Sequence, residues 1–239
     1  MDLKKMDQLI ASWQDEIFER LRGWIAINSV TSAKSAEDAP FGAEMRRMLD
    51  QFLKDARELG FQVDDVDGYA GSAQMGQGEK TMGILAHLDV VPAGEGWTKD
   101  PFGGQIEDGK FYGRGAEDDK GPAMAALYAM RAVREAGIPL KHGVRLIVGC
   151  DEETGMQDMA YYARARKMPD YGFSPDAQYP LINIEKGGLA LRLSKVTGGE
   201  TGAFIPVYSL YAGIRQNVVP GAALAELGTA GMGFEEMAR

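Results

Sequence analysis

The chain has one cysteine, Cys150, and two histidines, His87 and His142, among 239 residues. A single thiol excludes an intrachain disulfide and a metal site built from several cysteines. Any metal must therefore be held by carboxylates and imidazole. Basic residues are in the minority, 26 Lys and Arg against 35 Asp and Glu, giving a formal net charge of -9. Nucleic-acid binding needs a concentrated basic surface, so no such partner is expected. No apolar run approaches the roughly 20 residues needed to cross a bilayer. The first thirty residues are broken by charges every few positions, unlike the apolar core of a signal peptide. A cytoplasmic protein with no membrane partner is expected. Internal repeats, low-complexity tracts and heptads are also missing, which sets aside solenoids and coiled coils. The glycines of GRG and TGG lack the lysine and serine of a P-loop and the remainder of a dinucleotide fingerprint, and read as turns.

What is present is an alternation of helical and strand patterns. Leu9, Ile10, Trp13, Ile17, Leu21, Trp24 and Ile25 recur at three- and four-residue intervals, which predicts one amphipathic helix from Leu3 to about Ile27. A loop over VTSAKSAEDAPFG leads to a second helix from about Ala43 to Leu59, with Gly60 as its stop. FQVDDVDGYA and GSAQMGQ are strand-like, and TMGILAHLDVV is a short apolar run suited to a strand buried on both faces. IEDGKFYGRG predicts a hairpin, KGPAMAALYAMRAVREAG a helix ended by Gly137, and VRLIVGC another buried strand. Together these predict an α/β fold with a mixed, mostly parallel sheet and helices on both faces. After about Lys186 the pattern changes to the strand-like GLALRLSKV and FIPVYSLYAG and a short helix-like AALAEL. Residues 187–239 are accordingly read as the opening of a smaller α+β domain.

Four polar clusters stand out: HLD at 87–89, EDDKG from Glu117, DEE from Asp151, and SPD ending at Asp176. Any one of them could be ordinary solvated surface. Two of them, HLD and DEE, fall where α/β sheets collect their chemistry, beyond the C-terminal strand ends. A histidine ending a buried strand, with an aspartate two residues on, is an arrangement in which a carboxylate can orient an imidazole toward a metal. Acidic pairs at the end of a second buried strand are costly to bury without a cation.

The segments AHLDVVPAGEGWTKDPFGGQIEDGKFYGRGAEDDKGP, IVGCDEETG, FSPDAQYP and IEKGG resemble the metal-binding signature of the carnosinase, aminoacylase and succinyl-diaminopimelate desuccinylase family of co-catalytic zinc hydrolases, and within it the PepV-type dipeptidases. The similarity runs in order from the first helix to about Gly221. It implies that residues 1–186 are the N-terminal part of a zinc-peptidase catalytic domain and that 187–239 begin its lid and dimerisation domain. It also implies two zinc ions per complete site, with manganese or cobalt as alternatives. By the same resemblance His87 is a ligand of one zinc, shared with Asp176, the Asp118 carboxylate bridges both zincs, and the adjoining Asp118–Asp119 peptide is cis. Glu153 is then a ligand, Glu152 the general base, Asp89 the orienter of His87, and Asn217 a substrate contact. The implied activity is hydrolysis of dipeptides by a hydroxide held between the zincs, in a protein that dimerises at full length. Two other readings stay open: a catalytically inactive remnant of such an enzyme, and an N-acyl-amino-acid deacylase or desuccinylase. The resemblance calls for a further histidine near the end of a chain about twice as long. His142, at the start of a strand, lies at the wrong end of the sheet to supply it, and the chain is therefore expected to be C-terminally truncated. Cys150 reads as a small core residue.

Overall fold

The computed structural model describes residues 3–184, 186, 187, 189, 191, 193, 194, 207–213 and 220–228. The chain divides into two compact units, Met1–Ile182 and Asn183–Arg239. Asn217 lies outside the described residues, as does part of the strand-like GLALRLSKV.

In the first unit the chain runs α1 (Leu3–Ser12), α2 (Gln14–Ile25), α3 (Ala43–Glu58), β1 (Gln62–Val66), β2 (Ala70–Met75), β3 (Thr81–His87), a hairpin of β4 (Gln105–Glu107) and β5 (Lys110–Tyr112), α4 (Lys120–Glu135), β6 (Gly143–Gly149), α5 (Gln157–Ala165) and β7 (Tyr171–Phe173). The single N-terminal helix expected from periodicity is two helices. Trp13 leaves helical geometry (φ −101°, ψ 7°). Its indole packs against Tyr128 of α4, with centroids 6.1 Å apart, and under the guanidinium of Arg131 at 4.1 Å. Both neighbours are far away in sequence, so periodicity carries no sign of the break.

The main sheet has the order β1-β2-β6-β3-β7. β2 is antiparallel to β1 and β6, while β3 is parallel to β6 and β7, so four of the five strands share one direction. This is the mixed, mostly parallel sheet expected. Side chains alternate between its faces. Ala73, Ile84, Ala86, Leu146 and Val148 turn to one face and form a core with Trp24, Phe52, Met124 and Leu127 of the helices α2, α3 and α4. Val66, Ala70 and Ile147 turn to the other, under Tyr162 of α5. Tyr161 of the same helix stacks on Tyr69, with centroids 4.0 Å apart. Leu146 is fully buried at the centre of the sheet. Leu146→Ala is expected to cost about 2–5 kcal/mol, the range for a leucine removed from a packed core, measured as a shift in the urea unfolding midpoint.

In the second unit β8 (Val207–Ala212) pairs antiparallel with β9 (Ala223–Leu227). The helix expected over AALAEL is thus a strand. Ala, Leu and Glu favour helix locally, but six residues are too few to nucleate one alone, and pairing with β8 gives their backbone partners along one edge. No described helix is long and apolar enough to cross a membrane.

Candidate metal centre

The register of the parallel strands sets the site. His87 ends β3 opposite Gly149, the last residue of β6, so the DEE segment leaves the sheet beside the imidazole. β7 runs parallel on the other side of β3, and three residues beyond its end the chain reaches Asp176. Asp118 arrives from the opposite direction, at the entrance to α4. Its peptide bond to Asp119 is cis.

His87 is almost wholly buried, and its ring is fixed at both nitrogens. Nδ1 lies 2.9 Å from the backbone carbonyl of Asp89 and 3.3 Å from its carboxylate. Nε2 faces three carboxylates: Asp118 at 2.9 Å, Asp176 at 3.5 Å and Glu152 at 3.9 Å. Ligand atoms of His87, Glu152 and Asp176 all lie within 4.8 Å of one another. A cavity of about 130 Å³ opens beside them, lined among others by Met156, Met159 and Ser174.

The turn after β6 is held by two buried carboxylates. Asp158 accepts the amides of Cys150 (2.7 Å) and Asp151 (3.0 Å). A side chain at Gly149 would run into that carboxylate, which gives the glycine its purpose at the strand end. Asp89, fully buried, accepts the amides of Glu152 (3.1 Å) and Glu153 (3.0 Å).

Two further charged groups support the site and went unmarked as functional in the sequence. Asp119 accepts the backbone amide of His87 at 3.0 Å, tying the Asp118 loop to the end of β3. Lys120, fully buried, donates from Nζ to the carbonyls of Trp24 (3.0 Å) and Ile27 (2.8 Å) at the end of α2. Helix C-terminal carbonyls favour a cation. The only sequence signal was the pairing of EDD with a following lysine, and nothing local marks that lysine as buried.

Electrostatics favour a cation at Nε2. Burial opposes a charge on His87, but the carboxylates of Asp118, Asp176 and Asp89 outweigh it and hold its pKa well above the usual histidine value. The hydrogen bond from His87 holds Asp118 below the usual carboxylate range. Burial pushes Glu152 and Glu153 up, with added repulsion from Asp176 on the first and from Asp118 on the second. Asp119 is pushed up to about 7, chiefly by burial, and burial brings Lys120 down to about 7. A set of carboxylates that repel one another around one fixed imidazole nitrogen suits a divalent ion, which supplies the missing positive charge and accepts both oxygen and nitrogen donors. The residues present thus fit a metal.

His142, at the opposite end of β6, has no role in this arrangement. Its ring meets Tyr171 edge-on with centroids 6.4 Å apart. Cys150 is buried with a thiol pKa raised by that burial, as a core residue would be.

The pattern of peptidase family M20/M25/M40 matches residues 83–214. YtjP of Bacillus subtilis (strain 168) is 39% identical over 227 residues, covering 93% of this chain and 47% of that protein. Beta-Ala-Xaa dipeptidase of Lactobacillus delbrueckii subsp. lactis is 40% identical over 222 residues, covering 92% of this chain and 47% of that protein. Human carnosine dipeptidase 1 superposes with a TM-score of 0.62 at 28% identity, over 75% of this chain and 42% of that one. The di-peptidase Dug1p of Saccharomyces cerevisiae shares the fold, with a TM-score of 0.59 at 23% identity, over 68% of this chain and 37% of that one. The chain spans about half the length of the curated relatives it matches. With the match covering more than half of its residues, the chain belongs to peptidase family M20/M25/M40.

Proposed function

We propose that this chain carries the larger part of the active centre of a zinc-dependent dipeptidase. The observation that carries the reading is the His87 Nε2 atom, presented from the end of a buried parallel strand to the carboxylates of Asp118, Asp176 and Glu152. Zinc ions bound there would polarise the scissile carbonyl and acidify water. His87, Asp118, Asp176 and Glu153 would hold the zinc. Glu152, whose side chain is 43% exposed at the cavity, takes a proton from the attacking water. As the C–N bond breaks it delivers that proton to the departing amine. Its raised pKa suits a group that must both accept and release a proton. Dipeptides are the proposed substrates on the strength of the relative named Beta-Ala-Xaa dipeptidase.

Native mass spectrometry of the chain in excess zinc tests the reading. We expect zinc retained by the chain and lost from His87→Ala; a chain that retains none overturns it. Acidity adds a second check. Because the surrounding carboxylates raise the pKa of His87, zinc competes with a proton there, and its affinity is expected to rise with pH through the neutral range. Calorimetry in two buffers of different ionisation enthalpy reads the released proton directly.

A further inference from the structure

Four consecutive backbone amides, those of Cys150, Asp151, Glu152 and Glu153, all end on buried carboxylates, the first two on Asp158 and the last two on Asp89. Each oxygen of Asp89 takes one amide. The His87 ring can donate only one proton from Nδ1, and the nearer acceptor, at 2.9 Å, is the backbone carbonyl of Asp89, not its side chain. A carbonyl belongs to the backbone and survives any substitution at position 89.

We infer that the Asp89 carboxylate, besides its contact with the His87 ring, is a positioning residue for the Glu152–Glu153 turn. Charge-assisted hydrogen bonds from two adjacent amides to one carboxylate are the strong kind. They fix the peptide planes from which the Glu152 and Glu153 side chains leave, and so aim both carboxylates toward His87 and Asp118. The inference stands on hydrogen bonds within the metal-free chain. It can therefore fail or hold independently of the peptidase reading.

The test is nitrogen-15 NMR of the metal-free full chain, comparing wild type with Asp89→Ala and with the isosteric Asp89→Asn. Two histidines make the ring spectrum simple, and His142→Gln assigns it. In Asp89→Ala the amide hydrogens of Glu152 and Glu153 should exchange at least about tenfold faster, as expected when a buried amide loses its acceptor. Those of Cys150 and Asp151 should keep their protection. If Asp89→Ala does not fold, Asp89→Asn serves, since it retains one acceptor oxygen but turns a donor toward the other amide. One of the two glutamate amides should then lose protection. Two outcomes overturn the inference: loss of the His87 Nδ1 signal with both glutamate amides still protected, or equal loss of protection at all four amides, which would mark general loosening.

Discussion

On the proposed reading, Glu152→Gln is expected to leave zinc on the chain but to slow dipeptide hydrolysis by about 10²–10⁴-fold, the usual contribution of a positioned general base. Glutamine keeps the volume of the side chain and an oxygen toward the cavity but cannot take a proton from water. The proposed ligands His87, Asp118, Asp176 and Glu153 would remain in place. Glu153→Gln should behave in the opposite order, with weaker metal binding and a loss of turnover that added zinc partly restores. Donor atoms of Glu152, His87 and Asp176 lie within 4.8 Å of one another, whereas Glu153 feels Asp118 as its strongest charged neighbour. Equal metal loss in both variants would assign both glutamates to metal binding and sink the division of roles. Hydrolysis followed by amine release, with metal content measured on the same samples, decides it.

His87→Ala is expected to have the largest effect on metal binding, lowering zinc affinity by more than about 100-fold. Removing even an outer hydrogen-bonding partner of a metal ligand costs about 10–100-fold, and here the proposed ligand itself would be lost. It is also the only imidazole among the described groups of the centre. The carboxylates left behind would repel one another with neither proton nor metal between them. Competition against a chromophoric chelator measures the change. An affinity within a few fold of wild type would place the metal elsewhere.

The elements read most easily from the sequence are those whose own residues decide them. α3, α4, β3 and β6 carry strong periodicity or short apolar runs, and each formed where expected. The misses have tertiary causes. Trp13 breaks the first helix to meet Tyr128 and Arg131 of α4. β9 takes its conformation from pairing with β8 against its own composition. α5 and β7 were not foreseen, being only 9 and 3 residues long. The candidate site residues were found through the resemblance of their motifs, which names residues but not their hydrogen bonds. That Asp89 holds the amides of Glu152 and Glu153 joins residues more than sixty positions apart. The burial of Lys120 depends on where α2 ends. Neither fact has a local trace.

The parallel pairing of β3 with β6 brings Thr81 beside Gly143 and His87 beside Gly149, across an intervening hairpin and α4. Closing such a long connection is slow compared with forming helices or hairpins, because chain entropy is lost before the pairing repays it. Until it closes, His87 and the two glutamates belong to separate parts of an unfinished chain. During synthesis β3 leaves the ribosome well before β6, so this half-built polypeptide offers scattered donors and no chelating pocket. Tight capture of a metal ion is therefore a late event, and it can mark the moment when the central sheet is complete.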